Sequence, residues 1–269
     1  MKIGIAQLNS NDNIQENFNQ IKKLILDAQS ENPDVIFFPE NSLYFRIDTS
    51  SAVQAINLND QVISDLKDLC AQTQTAIHLT TAISEAGKIF NASVWIDTKH
   101  NASVVYKKIH LFDIDLHGEK AVRESDVFAH GQDPTIINIQ DFKVGSSICY
   151  DIRFAELYSV YAKAEVDIIL VPAAFLVKTG QAHWEVLLRA RAIESQCYVI
   201  ASAQSGAHWS SLNSLSRETF GHSMIVDPWG EVKALRATGV GIIFAELSLE
   251  VVQNVRKQIP MRNHRRIDF

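Results

Sequence analysis

Cys149 closes the apolar run VGSSIC and is followed at once by YDIRFAEL, where Asp151, Arg153 and Glu156 carry charge. A free cysteine in such a run is either a small buried hydrophobe or a nucleophile. A helical pattern begins about five residues later, so the sulfur sits at a strand–turn–helix corner. Backbone N–H groups and the positive end of a helix there both favour the thiolate. Charges placed directly after a buried strand end need partners, either each other or a ligand carboxylate. A thiol nucleophile also needs a base, for which histidine is the habitual choice. Of nine histidines, His110, His183 and His222 fall near element ends, where each reads more readily as structural than as a base. Glu40 is the more persuasive partner. VIFFPEN delivers it to the carboxyl end of an apolar strand, where sites collect in parallel α/β sheets. Against that wall its pKa is expected to be raised, as a base working near neutrality requires; the competing reading is a solvated residue just past a strand. In VVYKKIHLFD two lysines interrupt an apolar strand. Alternation sends Lys107 and Lys108 to opposite faces, and the inward one needs an anion such as Glu40 or the Cys149 thiolate.

The elements that must position these residues alternate along the chain. KIGIAQL and PDVIFFPE read as strands, and the second is apolar throughout, as strands buried on both faces of a parallel sheet are. Between them, Ile14, Phe18, Ile21, Ile25 and Ala28 recur on one helical face. NDQVISDLKDLCAQTQ reads as a second helix with Val62, Leu66, Leu69 and Cys70 inward. AIHLTTAIS, NASVWIDT and ASVVYKKIHLF then suggest an antiparallel meander. After an irregular segment from about Asp113 to Gln132 come the strands PTIINIQ and FKVGSSICY. The helix FAELYSVYAKAE, the strand VDIILVP, the helix AHWEVLLRARAIES and the strand QCYVIASAQ follow. In the second of these helices Trp184, Leu187, Leu188 and Ile193 read as core. GHSMIVDPWGEV and VGIIFAEL read as a last β-pair, with Asp227 to Gly230 as a turn, before a helix around LEVVQNVRKQI. No repeat or linker divides the sequence, so a single domain over residues 1–269 of α/β class is expected.

Composition narrows the function. At 269 residues, 46% hydrophobic and net charge −6, the chain has the makeup of an ordinary soluble globular protein and is too acidic for nucleic acid or anionic membranes to be its main partners. It contains no apolar run of membrane-span length, and MKIGIAQLNS lacks a signal-peptide core. The cysteines Cys70, Cys149 and Cys197 are too few and scattered for a disulfide framework or zinc site. A cytoplasmic protein with no bound metal is therefore the expectation.

Glu, Lys and Cys at three strand ends, in that order, together with FFPEN, YKKIHLFD, RES, CYDIRF, HWEVLLRARAIESQCYVIASAQ and GHSMIVDPWG, resemble the nitrilase superfamily of carbon–nitrogen hydrolases. The resemblance runs from KIGIAQL to HRRIDF and is to the Nit-type amidase branch. It implies a four-layer α-β-β-α sandwich with mixed sheets, usually dimerised through helical faces. It also implies that Glu40 is the general base, Cys149 the nucleophile and Lys108, by the K-x-H-L-F spacing, the catalytic lysine. Glu124 in VRES matches a second glutamate that orients the lysine and the substrate; spacing alone would read it as a loop surface charge. The implied reaction is attack of Cys149 on an amide carbonyl, with the oxyanion held by Lys108 and the Tyr150 N–H, and a thioester that water hydrolyses. No metal or organic cofactor enters it. Arg153 is open to two readings, a bidentate contact to a substrate carboxylate or a salt bridge to Asp151 or Glu156. Phe175 and Thr179 align with the segment that lines the substrate pocket.

RES and SRETFGHSM are more similar to deaminated glutathione amidases than to ω-amidases acting on α-ketoglutaramate. Both substrates have an α-keto acid end; in deaminated glutathione the scissile amide leads to Cys-Gly, so the leaving group is an amine instead of ammonia. An N-carbamoyl hydrolase reading stays open, whereas a lipoprotein N-acyltransferase is disfavoured by the missing membrane spans. From another class comes a non-catalytic scaffold of the same fold, against which the retention of Glu40, Lys108, Glu124 and Cys149 argues. The sequence departs from the branch in DLHGEKAVRES, which replaces a proline–glycine-rich loop, and at Ala173, where serine is common.

Overall fold

In the computed structural model, which describes residues 1–115 and 122–267, the chain begins with β1 (Lys2–Gln7), α1 (Ile14–Asp27), β2 (Val35–Phe37), α2 (Gln61–Thr73), β3 (Ala76–Glu85), β4 (Lys88–Ile96) and β5 (Ala102–Lys107). A short ribbon of β6 (Asp113–Ile114) and β7 (Val122–Arg123) follows. Then come β8 (Ile136–Ile139), β9 (Phe142–Ser146), α3 (Ala155–Lys163), β10 (Ile168–Leu170), α4 (Val177–Ser195) and β11 (Tyr198–Ala201). The chain ends with β12 (Ser205–Trp209), β13 (Ser216–Phe220), β14 (Ser223–Val226), β15 (Val232–Arg236), β16 (Gly241–Glu246), α5 (Leu249–Gln258) and α6 (Met261–His264). Part of the DLHGEKAVRES segment, residues 116–121, lies outside the described residues.

Two mixed six-stranded sheets result, ordered β16-β1-β2-β3-β4-β5 and β15-β14-β11-β10-β9-β8. In the first, β1, β2 and β3 are parallel and the expected antiparallel meander extends from β3 through β5. In the second, β9, β10 and β11 are parallel. The short parallel strands β2 (VIF) and β10 (IIL) are apolar at every position because both their faces are covered. Ile3, Ile5, Val35 and Phe37 point to the same buried layer as Val144, Ile168, Leu170 and Ile200, and this layer lies between the sheets. The alternate residues Ile36 and Phe38 instead meet Phe18, Ile21, Ile25, Ile63 and Leu66 of α1 and α2. Ile169, Val171 and Val199 likewise meet Tyr158 and Tyr161 of α3 and Trp184 and Leu188 of α4. Three apolar layers separate four structural ones, giving the α-β-β-α sandwich. Period-two alternation in the strands and a 3.6-residue stripe on the helices produce it together.

The α1 stripe is stabilised at its start by Asn13, whose side chain accepts from the Gln15 and Glu16 N–H groups. Among the described residues no helix is long and apolar enough to cross a membrane.

The structure corrects the sequence reading in four places. The expected last β-pair does not form: β14 pairs with β15 across the Asp227–Gly230 turn, while β16 crosses to pair with β1 in the other sheet. The irregular segment contains the β6–β7 ribbon and a 3₁₀ turn at Glu124–Asp126. The hairpin β12–β13 has no counterpart in the expected elements, because its alternation is broken by polar residues on both strands. Ile193 is exposed rather than core, and it lies over the Gly230 turn. The hairpin is nonetheless firmly seated. Phe220 donates its N–H to the Phe175 carbonyl, and its ring lies so close to Gly180 of α4 that a Cβ there would approach it to 2.4 Å.

Candidate active site

Glu40 stands in the turn just past β2, Lys108 one residue past β5, and Cys149 at the start of a 3₁₀ turn (Cys149–Arg153) past β9. All three are nearly fully buried. The Lys108 ammonium donates to Glu40 Oε1 at 2.9 Å and to Glu124 Oε2 at 2.8 Å. Asn91 of β4 bridges the same two carboxylates, its amide donating to Glu40 Oε1 at 2.8 Å and Glu124 Oε1 at 2.9 Å. The other Glu40 oxygen accepts from the Ala174 N–H at 2.8 Å. Glu124 is tied further by the Phe112 N–H at 2.6 Å. Lys107, by contrast, turns outward to Glu85 and over the Phe90 ring, as alternation requires. Gln204 fixes the Glu40 backbone by donating to its carbonyl and to the Ser10 hydroxyl, both at 2.9 Å.

Cys149 has φ +49°, in the left-handed region that non-glycine residues seldom occupy. The chain therefore swings sharply out of β9 at the sulfur, in the manner of a nucleophile held on a tight strand-to-helix turn. Two buried charged side chains hold that conformation. Asp151 accepts from the Ile148 N–H and the Tyr106 hydroxyl on one oxygen and from the His110 N–H on the other, with His110 Nδ1 at 2.7 Å. It thereby ties the turn to the strand end that carries Lys108. Arg191 of α4 clamps the Ile152 carbonyl with two N–H groups, at 3.0 and 2.7 Å. Asp151→Asn puts an amide N–H where one of these contacts needs an acceptor. It is expected to cost about 1–3 kcal/mol of stability, measured by denaturant unfolding, and to lower kcat with little change in KM.

The electrostatics reverse one expectation. Burial pushes the Glu40 carboxyl up, but the Lys108 charge and hydrogen bonds from Lys108, Cys149 and Asn91 outweigh it, and the pKa falls below its ordinary 4.5. Burial and the Glu40 charge push the Cys149 thiol well above its ordinary 9.0 despite Lys108. The Lys108 ammonium is held charged, against burial, by Glu124 and Glu40. The resting cluster is thus a protonated thiol hydrogen-bonded to an ionised carboxylate, not a preformed thiolate beside a raised-pKa acid. A proton can pass from sulfur to Glu40 while Lys108 keeps its charge. Burial raises the Cys70 thiol to about 12 and raises Cys197 further, and both pack in the apolar layers.

Glu40, Lys108, Glu124 and Cys149 line one cleft of about 310 Å³. Tyr150, Arg153, Phe175 and Thr179, all expected to contact substrate, line it too. Arg153 makes neither of its anticipated salt bridges. Its guanidinium lies over the Phe175 and Tyr150 rings and meets His183 Nδ1 at 3.1 Å, while the Asp151 oxygens are occupied as above. Ala173 is sealed in the core, and its neighbour Ala174 lines the cleft. The sequence reading missed Asn91, Asp151 as a tether, Arg191 and Gln204, together with Arg46 and Arg217 of the cleft wall. A polar residue inside an apolar strand, as Asn91 is within β4, was the available signal. Among the described residues no cluster of three His, Cys, Asp or Glu side chains is placed to hold a metal.

Comparison with known proteins agrees with this geometry. The chain is 39% identical over 270 residues to the probable hydrolase nit2 of Schizosaccharomyces pombe, covering 96% of this chain and 95% of that one. It is 36% identical over 279 residues to the deaminated glutathione amidase of Rattus norvegicus, covering 99% and 83%. The crystal structure of the C. elegans NitFhit protein superposes with a TM-score of 0.85 at 32% identity, covering 98% of this chain, which spans 65% of that longer one. Saccharomyces cerevisiae Nit3, a member of branch 10 of the nitrilase superfamily, superposes with a TM-score of 0.82 at 27% identity, covering 97% and 94%. Residues 2–257 match the family of carbon–nitrogen hydrolases, and the chain belongs to that family, the nitrilase superfamily.

Proposed function

We propose that the protein is a thiol amidase that cleaves the C–N bond of a small carboxylate-bearing amide, most specifically deaminated glutathione. The observation that carries this reading is the convergence in one cleft of Cys149 with Glu40 and Glu124, the two carboxylates joined by the buried Lys108 ammonium at 2.9 and 2.8 Å. Glu40 takes the proton as sulfur bonds to the amide carbon. The Cys149 N–H is committed to the Pro172 carbonyl at 2.9 Å, so the oxyanion is assigned to the Lys108 ammonium and the Tyr150 N–H. Glu40 returns the proton to the departing amine, the C–N bond breaks and a thioester remains. Water then gives a proton to Glu40 and its oxygen to the acyl carbon; the S–C bond breaks and the thiol is re-formed. Glu124 and Asn91 hold Lys108 and Glu40 at fixed separation throughout. Arg153, with no carboxylate partner among the described residues, is assigned to the α-keto acid carboxylate, between the walls provided by Phe175 and Thr179.

The relatives named as deaminated glutathione amidases support this substrate over α-ketoglutaramate. The chain is read as one hydrolase domain over residues 1–269. The exposed Val160 of α3 and Val186 and Ile193 of α4 support pairing of two copies through this helical face. The test is hydrolysis of deaminated glutathione and α-ketoglutaramate side by side, with the Cys149→Ser variant as blank. Preferential release of Cys-Gly, absent in the variant, is expected. Turnover of α-ketoglutaramate alone would assign the ω-amidase reaction instead.

A further inference from the structure

Arg217 lines the same cleft from β13, a strand that plays no part in the proton transfers. Its Nη1 donates to the Arg46 carbonyl at 2.9 Å and its guanidinium lies 5.2 Å over the Phe45 ring. No carboxylate lies within ion-pair distance of it among the described residues. The acids that the fold brings near the hairpin are engaged elsewhere. Asp12 accepts from Ser210 and Ser211, and Asp48 from Ser50 and Asn213. Glu218, the next residue on β13, is exposed and faces away by strand alternation. The residue opposite on β12, His208, has both ring nitrogens occupied, by the Ser10 carbonyl and the Thr219 hydroxyl, and packs edge-on against Phe45. Arg46, also on the cleft wall, spends its guanidinium on the Ser51 and Thr49 carbonyls of its own loop. Arg217 is thus a half-buried cation on an aromatic shelf, beside a second cation and without a counter-ion. Burial and Arg46 together depress its pKa, while Glu40 and Glu124 act on it in the opposite sense. Such a group is costly to keep unless a ligand anion supplies the missing partner, and a guanidinium does so with two parallel N–H donors.

We propose that Arg217, backed by Arg46, is a second anion-binding end of the cleft, so that the preferred amide carries a carboxylate on its leaving-group side as well as on its acyl side. The inference rests on the proposed amidase reading, in which Arg153 takes the acyl-side carboxylate. Arg217 comes from a different wall, so one small anion need not satisfy both.

The test compares kcat/KM for deaminated glutathione with that for its C-terminal carboxamide, which lacks only the distal charge. The wild-type protein is expected to favour the acid by roughly 30-fold, the worth of one charge-assisted bidentate contact. Arg217→Met is expected to bring that ratio close to one. Arg217→Lys, which keeps the charge and the stem packing, should hold an intermediate ratio. A wild-type ratio near one, or a ratio that Arg217→Met leaves unchanged because both substrates lose equally, overturns the proposal. If the wild-type protein cleaves neither compound, the substrate reading has failed and the subsite is read by ligand protection. Glutaryl-alanylglycine should then shield Cys149 from iodoacetamide better than its carboxamide does, and only while Arg217 is present. Equal protection by the two overturns the proposal.

Discussion

Cys149→Ser is expected to lower kcat by at least about a thousandfold while leaving the fold intact. The substitution is nearly isosteric, and the left-handed backbone at this position is imposed by Asp151 and Arg191, not by the sulfur. The loss is chemical. In the proposed reaction Glu40 is a weakened base, its pKa held below 4.5 against burial by Lys108. It can still draw a proton from a thiol as the S–C bond forms, but a hydroxyl is several pKa units less acidic. Serine is also the poorer nucleophile in that buried setting. Steady-state kinetics with intact-mass detection of the acyl-enzyme checks this, together with alkylation mapping, where Cys149 should react well ahead of Cys70 and Cys197. Turnover above about a tenth of wild type would place the nucleophile elsewhere.

Lys108→Met is expected to remove activity and stability together. Lost activity should be about a hundred- to a thousandfold, the usual consequence of deleting an oxyanion donor. The stability loss should be about 3–5 kcal/mol, because two buried carboxylates are left without their shared cation. The sign with pH follows from the shifts. In the wild-type protein the depressed Glu40 pKa contributes stability above pH 4.5 that is lost as pH falls through the lower folded-state value. The raised Lys108 pKa contributes stability below its ordinary 10.5 that is lost only above its higher folded-state value. Without Lys108, burial and the Glu124 charge both push Glu40 up. The variant's stability deficit should therefore shrink as acid protonates Glu40, and the acid limb of its residual kcat/KM should move toward neutrality. Wild-type kcat/KM should instead be flat between about pH 6 and pH 8. An inflection near the histidine range would mean that a group other than Glu40 takes the proton.

Strands such as β2 and β10 were legible because burial on both faces makes a strand uniformly apolar, and a charge just past its end, as Glu40 is past β2, then stands out; Lys108 was separated from Lys107 only by the K-x-H-L-F spacing of the resemblance. The direction of the Glu40 shift was not legible, since it depends on an ammonium 68 residues away held at 2.9 Å. Asn91 stands out as a polar residue within β4, but its role shows only once β4 is paired and its amide falls across two carboxylates. Arg46 and Arg217 are 171 residues apart, and the hairpin that joins them has no clean alternation. β14 and β16 read as partners because each is a good strand; which sheet a strand joins is decided by the apolar layer it completes, which no local window contains. Ile193 fits the apolar stripe of α4, yet it lies at the rim of that stripe and faces outward.

Glu40 and Lys108 hang from one sheet, Cys149 and the Ala174 amide from the other, and Gln204 crosses the gap between them at the Glu40 carbonyl. The thickness of the apolar layer between the sheets, about 10 Å in packed sandwiches, therefore acts as the spacer that sets how far sulfur stands from carboxylate. Either half of the chain, folded alone, would hold only part of this cluster. A methylene added or removed at Phe37 or Leu170, remote from any substrate, would be felt as a mis-set gauge at the thiol.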